Sequence, residues 1–333
     1  MRRARNLFWA WVGAAVWVSA AAASVEAGKK GGREELAWPL GNPRVRLERV
    51  IQQRDDLRSG MAKFLSRLGG GKRAALFQRP HGVAWDGDDL LITDPGARRV
   101  VRISGRGRVT TSRQGVIGNP IGVAACSQGV VVSDARTGKV ALLGPGLGNV
   151  RWIAEGLARP TGVACSGPKI FIVETGNHRV LVREPDGSWS SLGERGAEEG
   201  RFNFPTSVAV ANGSLWVGDT LNFRIQRLDA TSGSFEETFG KLGDAPGEMP
   251  RIKGIAVDSA GHLWVSDAYL DRISLYGPEG TFLMSLGGTG GEPGEFSFPA
   301  GIATHPDGRI AVVDSLNRRV QVFRLVAPDE GRP

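Results

Sequence analysis

Six times along the chain an acid is followed five places later by a base, and then at once by a β-branched residue. The stretches read TDPGARRV (93–100), SDARTGKV (133–140), VETGNHRV (173–180), GDTLNFRI (218–225), SDAYLDRI (266–273) and VDSLNRRV (313–320). The acids are Asp94, Asp134, Glu174, Asp219, Asp267 and Asp314, and the bases Arg99, Lys139, Arg179, Arg224, Arg272 and Arg319. Successive acids lie 40 to 48 residues apart, a spacing that marks a repeat architecture. Twelve or thirteen residues before each acid a small residue opens an apolar run: Gly82, Gly122, Gly162, Ser207, Gly254 and Gly301. A proline stands two places before it in every copy except the fifth, where Ile252 precedes Lys253 and Gly254.

Each unit reads as strand, turn, strand, four-residue loop, strand, with a fourth strand such as TFLMSLG (281–287) before the next copy. Runs such as Ile170-Phe171-Ile172-Val173 are apolar at successive positions, so both faces of the sheet need cover. A lone four-stranded sheet cannot provide that, and copies must pack against one another. Six twisted sheets packed radially make an all-β, six-bladed β-propeller. The last unit lacks a fourth strand after RVQVFRL (319–325), while PRVRLERVI (43–51) precedes the first unit with strand-like character. This N-terminal strand is expected to complete the sixth blade and close the ring, removing the open edges.

The four-residue loop places each acid opposite its base across a hairpin, where a charge pair contributes about 0.2–1 kcal/mol. The twelve residues therefore read as structural pairs. The pattern resembles the NHL-repeat family of six-bladed propellers over about residues 75–326. The resemblance rests on the loop Asp219-Thr-Leu-Asn222-Phe-Arg224-Ile and on a glycine-rich entry into the next blade. That entry reads Gly193, Gly196, Gly200, Phe202, Pro205 before unit four and recurs as Gly287, Gly290, Gly294, Phe296, Pro299 before unit six. Units one to three lack it. The resemblance implies the fold and leaves the activity open, because propellers host many.

Outside the repeats, Arg2, Arg3 and Arg5 precede an apolar run over 7–23 and a small-residue cleavage site at 25–27. Residues 1–27 are expected to be a signal peptide directing export to the periplasm or exterior, with an uncleaved anchor as the alternative. The chain carries 42 Lys and Arg against 34 Asp and Glu, a net +8, which favours anionic surfaces. The expected organisation continues as a flexible linker (28–42), the closing strand (43–52), a short amphipathic helix and linker (53–74), the propeller (75–326) and a flexible tail (327–333). In the helix, Met61, Phe64, Leu65 and Leu68 fall on one face, either packed on the propeller or touching a membrane surface through residues 59–71. No later segment is apolar enough to cross a bilayer, and a monomer without an integral membrane body is expected.

The acid–base loops and the blade entries are expected on one face. It collects His81, Arg98, Arg136, His178, Arg201, Lys253 and Arg318, with Phe223 and Tyr269 at loop tips. Arginines beside aromatics suit an anionic polymer, by charge and stacking, or a protein partner. The expected role is therefore a non-catalytic binding or scaffold module without cofactor. One alternative is a nucleic-acid-binding NHL module. Another is a channel-centred, metal-dependent lactonase or lyase, as the resemblance allows. Against the latter, the residues before the inner strands are His81, Ile121, Thr161, Thr206, Lys253 and Ala300, a poor set for a divalent metal. The sequence therefore predicts neither a metal nor an enzyme. Cys126 and Cys165 lie in neighbouring blades and are expected as buried free thiols, unless convergence near the axis brings them within bonding distance.

Overall fold

A computed structural model of the chain describes residues 28–30, 33–38, 44–57 and 75–326. The expected signal peptide, amphipathic helix and tail lie outside the described residues. The propeller consists of six antiparallel sheets. The first has strands Val83–Asp86, Asp89–Asp94, Arg99–Ile103 and Val109–Thr111, in that order from the axis outward. Four further sheets repeat this order, and the first strands of neighbouring sheets pack against one another around the axis. The sixth comprises Pro299–Thr304, Arg309–Asp314, Arg319–Leu325 and, from the other end of the chain, Val45–Ile51. The closing strand pairs from Val320 opposite Ile51 to Leu325 opposite Val45, with a one-residue register shift between Val322 and Phe323.

A fifth strand, Ala37–Trp38, adds to Val45–Arg46. The segment expected as a flexible linker is thus partly built into the sixth blade. The reason is Trp38, whose indole is buried against Phe323 with ring centroids 5.8 Å apart.

Six apolar clusters fill the six junctions between blades. Leu91, Val130 and Leu143 pack between blades one and two, and Phe171, Val208 and Leu215 between three and four. The closing strand serves two junctions at once. Val45 joins Trp264 and Phe323 at one, while Ile51 joins Val83, Ile92 and Val320 at the next.

A hydrogen-bonded collar holds the inner strands together. Thr93 Oγ1 donates to the Ile121 carbonyl at 2.8 Å, Ser133 Oγ to Thr161 at 2.5 Å, and Thr161 Oγ1 to Thr206 at 3.0 Å. Thr220 Oγ1 reaches the Ile252 carbonyl at 3.3 Å, and Ser266 Oγ donates to that of Ala300. The Gly301 N–H closes the circle on the His81 carbonyl at 2.7 Å. Every blade is therefore tied to the next at the axis, which explains the small residue opening each unit. A Cβ on Gly122 would lie 2.2 Å from the Thr161 carbonyl oxygen, and backbone cannot move aside there. Gly122→Ala is expected to destabilise by about 3 kcal/mol in chemical denaturation. Gly148→Ala, whose Cβ would meet nothing within 4 Å, is the control and should be near neutral.

Cys126 and Cys165 are bonded, with Cα atoms 5.6 Å apart, which corrects the free-thiol expectation. They sit at the far ends of the inner strands Pro120–Cys126 and Pro160–Ser166, where blades two and three converge. The adjoining turns are tied as well, through Ser127 Oγ to Gly167 O at 3.1 Å and Gln128 Nε2 to Pro168 O at 2.8 Å. The bond closes a span of 39 residues, so Cys126→Ala/Cys165→Ala should lower stability by about 2–4 kcal/mol. Denaturation with and without reductant checks this, the double variant alone being insensitive to reductant.

Candidate functional site at the channel mouth

The repeat motif builds one face of the disc. All six acids are buried and lie opposite their bases in register. Their carboxylates do more than pair across the hairpin. Each accepts backbone N–H groups from the loop entering its own blade, some sixteen residues upstream. Asp94 takes Gln78 and Arg79, Asp134 takes Gly118 and Asn119, and Glu174 takes Ala158. Asp219 takes Asn203, Asp267 takes Arg251, and Asp314 takes Ser297. The acid is thus a clamp that fixes where the chain turns onto the axis, and a buried carboxylate is stabilised by such donors.

Ion pairs accompany the clamp in four blades: Glu174–Arg179 at 2.6 Å, Asp219–Arg224 at 2.9 Å, Asp314–Arg319 at 2.6 Å and Asp94–Arg99 at 4.0 Å. The other two correct the expectation. Lys139 turns to Glu155 at 2.7 Å, and Arg272 donates to the carbonyls of Asp244, Ala245 and Glu248. Arg224 and Arg319 likewise strap entry-loop carbonyls, which accounts for the glycine-rich entries winding so tightly. At Gly193, with φ of 76°, a Cβ would strike the buried Phe202 ring at 2.3 Å.

The expected binding residues separate into four groups. Arg98, Arg136, Arg318 and Tyr269 are exposed on loops joining second and third strands, away from the axis. Arg201 is exposed but paired with Glu194 at 3.1 Å, and Phe223 is half-buried. His178 is a correction. Its ring is buried, Nδ1 accepts the Phe204 N–H of the next blade at 3.1 Å, and Phe204 packs edge-on at 4.3 Å. Asp271, at the equivalent place in blade five, accepts the Phe298 N–H at 2.8 Å, so this position links blades. Only His81 and Lys253 reach the axis.

There they line a cavity of about 70 Å³, with Ile121 and Thr206 beside them and no acidic residue in its wall. Thr161 turns into its blade to bond Thr175 Oγ1 at 2.7 Å. Lys253 Nζ lies 5.4 Å from the centre of the Phe298 ring. Burial lowers the Lys253 ammonium to about 8, assisted by the charges of Arg251, Arg159 and Arg79. Burial also lowers His81 to about 4, with Lys253 and Arg79 acting the same way against a hydrogen bond to the Ile121 backbone. His81 is therefore a neutral base at neutral pH, and Lys253 becomes one as the pH passes about 8.

Arg79, Arg159 and Arg251 were missed in the sequence. Each stands two places before the axial residue of blades one, three and five, so counting back from His81, Thr161 and Lys253 locates all three. A divalent metal does not fit this set. One histidine and a lysine offer too few donors, the collar engages the nearby carbonyls, and among the described residues no three His, Cys, Asp or Glu side chains converge. His262 and His305 sit in turns joining first and second strands, bonded to Asp258 and Asp307. No described helix is long and apolar enough to cross a membrane.

Fold and motif together define a six-bladed β-propeller with an NHL-repeat-like region. The NHL repeat model matches residues 296–323. NHL repeat-containing protein 2 from Gallus gallus is 36% identical over 72 residues, covering 19% of this chain and 10% of that protein. The chain thus matches about a tenth of the length of that curated relative. Among solved structures, a gluconolactonase from Xanthomonas campestris superposes with a TM-score of 0.61 at 15% identity, over 84% of this chain and 98% of its own. Virginiamycin B lyase from Staphylococcus aureus gives 0.55 at 17% identity, over 74% and 95%. At these identities the likeness establishes the fold. It also corrects the expectation that the chain is no enzyme, because propellers of this form include lyases and lactonases.

Proposed function

We propose that the protein acts on a small molecule bound across the channel mouth, as a lyase- or lactonase-type enzyme. Lys253 and His81 are its proton-handling groups. The observation that carries the reading is their position: the two ionisable side chains in the cavity wall stand together on the axis, both shifted toward the neutral form, with no carboxylate beside them. A free amine at about pH 8 can take a proton from carbon next to a carbonyl, starting an elimination. It can equally activate water for attack on a lactone carbonyl, with His81 as the second base or, once protonated, the donor to the leaving oxygen. The fold-mates named above support these two reaction classes, and the donor set supports a route without a chelated metal.

The exposed arginines away from the axis support a subsidiary role in holding the enzyme at an anionic surface or partner. Export is proposed with it, since the Cys126–Cys165 bond suits an oxidising compartment. The test is a panel of aldonolactones and depsipeptide or uronate elimination substrates, followed by release of acid or of a conjugated double bond. Turnover is expected in wild type and lost by at least about a hundredfold in Lys253→Met. Equal activity in the variant would remove Lys253 from the chemistry.

A further inference from the structure

We infer that the channel mouth recognises a small molecule bearing two or three anionic groups, carboxylates or phosphates, through Arg79, Arg159 and Arg251. The inference rests on the proposed function for the place of the site and deepens it by naming the ligand class.

In chain order, the positions two before the axial residue are Arg79, Asn119, Arg159, Phe204, Arg251 and Phe298. Blades one, three and five thus carry guanidinium groups a third of a turn apart, around one mouth. All three are exposed, and all three act on the charge of Lys253. Their side chains have no hydrogen-bond or ion-pair partner among the described residues. That sets them apart from Arg224, Arg272 and Arg319, whose forks are filled by loop carbonyls.

Their placement follows from the repeat. The Arg79 and Arg251 N–H groups are clamped by Asp94 at 2.9 Å and Asp267 at 2.8 Å, and the Arg159 carbonyl accepts the Thr175 N–H at 3.2 Å. Arg159 also holds a left-handed φ of 56°, a conformation that only a supporting frame sustains in a residue with a Cβ.

Four like charges whose side chains meet no carboxylate among the described residues repel one another, and a bound polyanion relieves that repulsion. Guanidinium forks bind carboxylate or phosphate through two parallel bonds each. The cavity below has room for one such headgroup, so further anionic groups would lie outward against the arginines. Phe204 and Phe298 occupy alternate positions and offer apolar walls between them.

The test uses the full chain with citrate and pyrophosphate as probes and glycerol as the neutral control, read by calorimetry and thermal shift. Saturable binding of at least one anion, weakened by salt, is expected. Arg79→Gln, Arg159→Gln and Arg251→Gln should each weaken it at least tenfold, whereas Arg106→Gln and Arg151→Gln, at exposed positions in outer turns and strands, should leave it unchanged. Unaltered melting of the unliganded variants shows that they fold. No binding, or equal losses in the Arg106 and Arg151 variants, overturns the inference. The two readings part cleanly. Anion binding through the three arginines without turnover of any panel substrate leaves the ligand class standing and removes the enzyme. Turnover undiminished in the three arginine variants does the reverse.

Discussion

A chain lacking residues 45–51 is expected to yield no cooperative folded monomer. The strand supplies the outer pairing of the sixth blade, from Ile51 opposite Val320 to Val45 opposite Leu325. It also buries Val45 and Ile51 completely, in two different blade junctions. Losing a buried aliphatic side chain costs about 2–5 kcal/mol, so two approach the 5–15 kcal/mol by which a whole domain is stable. The bare edge of Arg319–Leu325 would then be free to pair with other chains. Sedimentation and thermal melts are the measurements, with aggregation or a broad, early transition expected. A truncated chain that melts like the parent would show that the ring closes without this strand. Ile51→Asp gives a milder version, expected to destabilise one junction without removing the pairing.

The second large effect concerns Lys253. Its ammonium sits at about 8 instead of the usual 10.5, which is a statement about stability as well as chemistry. Between those two values the unfolded chain binds the proton more tightly, so wild-type stability should rise with pH from about 8 to 10.5. Below 8 the fold carries the strained charge. Lys253→Met removes it and should stabilise the unliganded protein at pH 7 by about 2 kcal/mol, allowing for partial exposure. It should also abolish the alkaline rise. In the same variant the chemistry is expected to fall at least about a hundredfold, and the increase of kcat/KM through pH 8 to disappear. A gain in stability coupled to a loss of activity is the signature of a group kept for function. A destabilised variant would mark Lys253 as a packing residue.

The ring was legible because its causes are local and repeated. Strand-opening glycines, successive apolar runs and an orphaned strand before the first unit reveal the count and the closure. The roles inside the motif were less legible. An acid and a base five apart look like a hairpin pair, and nothing nearby shows that the acid's main donors lie sixteen residues back, as Asn203 does for Asp219. His178 read as a surface ligand because it stands in a loop, yet a left-handed backbone turns it under Phe204. The cysteine bond depends on how closely blades two and three converge, which strand spacing alone does not give. His81 and Lys253 could be placed at the axis by counting. The three arginines escaped because proline, not charge, is the common feature of that stretch, and their alternation appears only once the six copies form a circle.

The inner collar has a kinetic consequence. Six neighbouring inner strands tied by these bonds leave an aperture that cannot widen without breaking several of them. A ligand wider than that aperture must enter from the loop side and depart by the same doorway. Spent material therefore competes with fresh material for one opening, and release, more than arrival, is where such a disc would be slowed.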